Sequence, residues 1–137
     1  MKIGLWIVSA AAVAAAAASI LFLSEYGKTG HTGSAEITLN KSDVFSDAET
    51  EAAANAVLDY FTEQSLFRGC SLQSLRYENG KTAGGAYTEP DYITLYSDFY
   101  ACRFVCDESI GGKQTGWDWV LRKNDSGVWE VCTYGYA

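Results

Sequence analysis

The spacing of apolar residues changes once along this chain, near residue 68, and that change constrains the fold more than any motif does. Before it, "FSDAETEAAANAVLDYFTEQSLF" (45–67) sets Ala53, Val57, Tyr60, Phe61 and Gln64 at helical spacing, giving a largely apolar face. Glu51, Asn55, Asp59 and Glu63 fall on the other side. Ser46 followed three residues later by Glu49 makes a capping box, and Asp47 and Glu51 favour the positive end of the helix dipole. Gly69 supplies a stop.

Beyond residue 70 the period moves towards two. "CSLQSLRYE" (70–78) reads as a strand and "NGKTAGGAYTEPD" (79–91) as a loop. "YITLYSDFYAC" (92–102) alternates, with Ile93, Leu95 and Phe99 on one face and Tyr92, Thr94, Tyr96, Asp98 and Tyr100 on the other. "GWDWVLRK" (116–123) groups Trp117, Trp119 and Leu121. "NDSG" (124–127) is a tight turn, and "VWEVCTYGYA" (128–137) is the return strand. The expected fold is α+β, with one amphipathic helix packed on a roughly four-stranded antiparallel sheet. The helix would cover Ile93, Leu95, Phe99, Trp117, Trp119, Leu121, Trp129 and Val131.

A hydrophobic helix is expected ahead of this domain. Residues 3–23, "IGLWIVSAAAVAAAAASILFL", carry no charge and no proline. As a helix they would span ~31 Å, close to the bilayer hydrocarbon thickness. A cleaved signal peptide has an apolar run of only about 7–15 residues, and cutting after an A-x-A site here would leave "SILFL" exposed. Residues 1–24 are therefore expected to stay as a single-pass membrane anchor, with a cleaved leader and a secreted domain as the alternative. Lys2 before the run and Glu25 after it place the N-terminus in the cytoplasm and the rest outside. Residues 25–43, rich in Gly, Ser and Thr, read as a flexible linker, and 44–137 as one domain. The single histidine, His31, falls in that linker as a solvated residue. The domain would then lack the commonest neutral-pH base and zinc ligand.

With 10 Lys and Arg against 17 Asp and Glu, the net charge is −7, which repels nucleic acid and excludes it as a partner. Aromatic residues make up 14% of the chain, enough for an ordered core despite the small size.

The runs "ITLNKSDVFSDAE", "FRGCSL", "ITLYSDF" and "WDWVLRK…GVWEVCTYGYA" resemble a family of small domains of unknown function that occur behind membrane anchors in Gram-positive bacteria. The resemblance covers residues 37–137 and implies an exported domain, without supplying a catalytic motif. The helix followed by a curved sheet is also similar to the nuclear-transport-factor-2-like and cystatin-like architectures. The chain departs from the family pattern at 79–91, where relatives are expected to carry a longer, partly helical insertion, and in the cysteines after "SDFYA".

Four cysteines, Cys70, Cys102, Cys106 and Cys132, allow two disulfides in three connectivities, and an exported domain permits them. Cys102 and Cys106 cannot pair across an extended strand, since four residues span ~13 Å and a disulfide needs Cα atoms within about 7 Å. They can pair if the chain turns after Cys102, or one of them can reach Cys132. Cys70 reads as a buried core thiol. The spacings fit neither a four-ligand zinc site nor a C-x-x-C redox pair, so no metal or cofactor is expected.

Asp98, Asp118 and Glu130 lie on three sequential strands and by alternation share the sheet face opposite the helix, near Tyr96 and Arg122. Asp98 and Asp118 are the catalytic candidates, because two carboxylates can do acid/base work where burial separates their pKa values. On an open face they would stay solvated and pair across strands, as Asp118 or Glu130 with Arg122. Tyr92, Tyr96 and Tyr100, with Tyr134 and Tyr136, form an amphipathic stripe. With Arg122, this stripe is the candidate surface for an unknown protein or small ligand, or for a homodimer. The leading expectation is a membrane-tethered, extracytoplasmic, non-catalytic binding or accessory domain. The alternatives are a nuclear-transport-factor-2-like enzyme with an Asp base, and a cystatin-like inhibitor or envelope sensor.

Overall fold

Ser46 opens the helix as its sequence dictates: its Oγ accepts the Glu49 N–H at 3.2 Å, satisfying one of the orphan donors of the first turn. The structure is a computed structural model and describes residues 30–101 and 112–135. Helix α1 (Asp47–Glu63) buries Thr50, Ala53, Ala54, Val57 and Phe61. It stops where Gln64 turns extended. A 3-10 turn (Ser65–Phe67) follows, and Gly69, at φ 73°, redirects the chain into the sheet.

The sheet comprises β1 (Glu36–Leu39), β2 (Ser71–Tyr77), β3 (Tyr92–Tyr100), β4 (Lys113–Lys123) and β5 (Trp129–Gly135), in that spatial order. Strands β2 to β5 pair antiparallel, while β1 runs parallel to β2. The fold is α+β as expected, but the sheet is mixed and has five strands.

The extra strand comes from the stretch that reads as linker. Residues 30–43 are in the fold: His31 donates its N–H to the Cys70 carbonyl and accepts from the Leu72 N–H, both at 2.8 Å. Glu36 to Leu39 continue alongside Ser74 to Tyr77. Gly30 is buried, and a Cβ there would collide with the Phe61 carbonyl and ring. His31 is accordingly half-buried at the domain's edge and not a solvated linker residue. Strand β1 escapes sequence reading because backbone pairing holds it: Ile37 is 45% exposed, so no alternation marks it.

The eight strand residues expected beneath the helix do pack there, six of them buried and Trp117 and Val131 partly so. Phe67 joins them, stacked on Phe61 at 4.9 Å and edge-on to Phe99 at 5.8 Å. Three bulges adjust the register. In β2, an extra residue between Leu72 and Ser74 lets Leu72 and Leu75 both face the core. In β4, Ser97 opposes Trp117 but Phe99 opposes Gln114, and Gly116 takes φ 66° at this bulge. In β5, Leu121 opposes Val131 but Val120 opposes Thr133, so Cys132 is the extra residue. A one-residue slip moves every later side chain to the other face, which carries Tyr134 to the helix side.

Residues 79–91 form a strap across the opposite face. The Ala83 N–H donates to Thr94 Oγ1 at 3.2 Å, and Lys81 Nζ lies 4.3 Å from the Tyr96 ring centroid. At the strap's end Tyr77 Oη reaches Glu89 Oε1 at 2.8 Å and Ser42 Oγ at 2.9 Å. Among the described residues no helix is long and apolar enough to cross a membrane. The segment read as an anchor, 3–23, lies outside the described residues.

Candidate functional site

The tyrosine stripe does not form a continuous exposed patch. Tyr96 is buried beneath the strap, Tyr92 packs edge-on against Tyr87 at 5.2 Å, and Tyr100 stays 43% exposed beside Lys113. Tyr134 lies on the helix side, 5.5 Å from the Trp119 ring and 5.6 Å from that of Tyr60. Tyr136 lies outside the described residues. Alternation predicts one stripe only if strands run without bulges and no loop folds over them, and both conditions fail here.

The two catalytic candidates sit on the expected face in contrasting environments. Asp98 Oδ1 accepts the Gly116 N–H at 2.9 Å, while Oδ2 accepts from Ser74 Oγ at 3.2 Å and Arg76 Nη1 at 3.4 Å. Burial pushes its pKa up, but the Gly116 amide, Arg76, Ser74 and Lys113 together outweigh that and hold it below the usual carboxylate range. Asp98 is thereby a fixed anion tying β2, β3 and the β4 bulge together. Asp118 is 5% exposed, faces Tyr96 across the ladder, and has its pKa raised by burial. Tyr96 is raised in turn, first by burial and then by the Asp118 charge. The expected cross-strand ion pair with Arg122 is replaced by Arg76–Asp98 at 3.4 Å. Arg122 opposes Glu130 in register, and Glu130 Oε1 accepts from Asn124 Nδ2 at 2.8 Å.

Cys70 is buried in the core, as expected. Cys132 is exposed at the β5 bulge and directs Sγ to the Val120 carbonyl at 3.2 Å. Burial pushes its thiol up, with Arg122 opposing. No disulfide forms among the described residues, and Cys102 and Cys106 lie outside them. No group of three or more His, Cys, Asp or Glu among the described residues could hold a metal ion.

The concavity beside the last strand leaves no sign in the sequence. A groove of about 720 Å³ runs between α1 and β5, within the roughly 300–1,000 Å³ of ligand sites. One wall is the helix ridge Ala52, Asn55, Ala56, Asp59, Tyr60 and Glu63, and the other is Gly127–Val131. A smaller recess of about 420 Å³ lies by Val44, Glu49, Pro90 and Lys123, where Lys123 Nζ meets Glu49 Oε1 at 3.4 Å. Neither is lined by Asp98 or Asp118. The groove is missed in the sequence because Asn55, Asp59 and Glu63 read there as an ordinary solvated helix face. Only the helix–sheet packing sets them beside the last strand.

Comparison with protein-family models, curated proteins and solved structures finds no match.

Proposed function

We propose that this chain is a non-catalytic binding module of the exported, membrane-anchored kind it resembles, tethered by residues 3–23, with its domain outside the membrane. The observation that carries the reading is the open α1–β5 groove beside a strand that ends the sheet. The chemistry of the opposite face supports it from the other side. Asp98 is held ionised by three donors, and the strap covers Tyr96, which faces Asp118. A photo-cross-linking residue placed at Ala52 or Val128 in the full chain, in native-host membranes, should give adducts. The same residue at Thr38, on the far edge of the sheet, should not. Adducts only from Thr38, or none from any site, would overturn the reading. A native mass short of the leader would remove the tether.

A second reading, a nuclear-transport-factor-2-like enzyme with Asp118 as base, is favoured by one observation: burial raises the proton affinity of Asp118. It requires a small molecule to reach that carboxyl. Complete protection of Asp118 from a water-soluble carbodiimide in the folded protein would exclude it.

A further inference from the structure

We infer that the β5 edge and the groove beside it bind an extended basic peptide segment by strand addition, with two of its Lys or Arg side chains meeting Asp59 and Glu63. The inference rests on the binding-module reading and names the partner chemistry of that same groove.

Strand β5 lies at the end of the sheet order, so among the described residues one side of its backbone has no neighbouring strand. The hairpin bond from Asn124 N–H to the Val128 carbonyl, 2.9 Å, fixes which groups that side offers. By the alternation of an antiparallel ladder, Trp129 and Val131 turn their N–H and C=O groups away from β4. A bare edge of this kind pairs with an incoming extended segment, whose backbone supplies affinity while its alternate side chains supply specificity.

The helix wall decides the specificity. Asp59 and Glu63 stand one turn apart near the C-terminal end of α1, and the last turn carries no basic residue. Both choices oppose the helix: like charges at i,i+4 repel, and anions are disfavoured at the negative end of the dipole. Among the described residues neither carboxylate enters an ion pair. Their separation along the helix axis is ~6 Å, which matches the ~6.6 Å between alternate side chains of an extended strand. The wall from Ala52 to Glu63 is ~16 Å long, room for about five extended residues. Ala52, Ala56 and the exposed Val128 leave apolar space for the stems of long cations. A second copy of this chain is the wrong occupant: pairing β5 with β5 would face the same unpaired carboxylates of both copies across one seam, on a protein of net charge −7.

The probe is an N-acetylated, C-amidated peptide alternating Val and Lys over six residues, titrated into the full chain in neutral detergent and followed by backbone amide NMR. Shifts should concentrate at Asp59, Glu63, Trp129 and Val131. Asp59→Asn with Glu63→Gln should weaken binding about three- to tenfold, as expected for two exposed ion pairs, and salt should do the same. N-methylating alternate peptide amides should abolish it. Equal binding of a Val/Glu peptide in the same groove would overturn the basic specificity and leave the binding-module reading standing. Concentration-dependent self-association that shifts Trp129 and Val131 without peptide would make a second copy the occupant and overturn the inference. No shift in the groove with any peptide, together with no cross-linking from Ala52 or Val128, would remove both.

Discussion

Trp119 donates its indole N–H to Ser97 Oγ at 2.8 Å inside the core, and Ser97 donates onward to the Trp117 carbonyl at 3.4 Å. A serine in the apolar series Ile93, Leu95, Phe99 would otherwise be an unexplained polar residue. Both Ser97 and Trp119 are fully buried, so Ser97→Ala strands the indole donor. The expected loss is about 1–3 kcal/mol, the penalty for a buried unsatisfied polar group, read as a lower urea midpoint with unchanged slope. An unchanged midpoint would show that the indole finds another acceptor.

Gly30 ties the N-terminal arm to the helix. Its lack of a side chain lets the backbone press on the Phe61 carbonyl and ring. Gly30→Ala should destabilise the domain by about 1–3 kcal/mol, the usual range for overpacking, and hydrogen exchange should speed first at Ile37 and Leu39. Substituting Gly33, where a Cβ meets nothing, is the matched control and should leave both unchanged.

Tyr77→Phe removes the hydroxyl that joins Ser42 to Glu89 while keeping the ring against Phe45. The fold should lose about 1 kcal/mol, the net value of an ordinary hydrogen bond. The clearer effect falls on the strap: tryptic cleavage after Lys81 should accelerate severalfold. Equal cleavage rates would mean that Glu89 does not hold the strap down.

Asp98 and Asp118 should push stability in opposite directions with pH. The folded-state pKa of Asp98 lies below its unfolded value, so its contribution is present above the unfolded pKa and lost as pH falls through the folded one. Asp98→Asn should therefore lower the melting temperature at neutral pH, with the difference closing in acid. Asp118 is raised, so its charge weakens the fold above that pKa. Asp118→Asn should raise the melting temperature at neutral pH, and the gain should vanish as pH falls below the ordinary carboxylate range. Melting curves for both variants across the acid range check the two signs.

Much of the domain was legible from local pattern. The Ser46 cap, the buried stripe of α1 and the apolar faces of β3 and β4 each follow from spacing that a helix or strand imposes on its own residues. Cys70 was also legible, as a small apolar residue in a core sequence. The candidate surface was not. Counting in twos puts Tyr96 and Tyr134 on an open face, and that count ignores an inserted residue and an overlying loop.

Periodicity and capping act within a few residues of the chain, so local pattern alone specifies a helix on an antiparallel meander with an aromatic core. Three features follow only from the assembled fold: residues 36–39 add a parallel strand, Cys132 bulges and turns Tyr134 inward, and Asp59 and Glu63 stand beside the β5 edge. These outcomes depend on backbone groups pairing, and on side chains meeting, across sequence separations from about ten residues at the β4–β5 bulge to over seventy between α1 and β5. Pairing of this kind leaves no local period, so a short exposed strand and an acidic helix face look in sequence like a linker and an ordinary solvated surface.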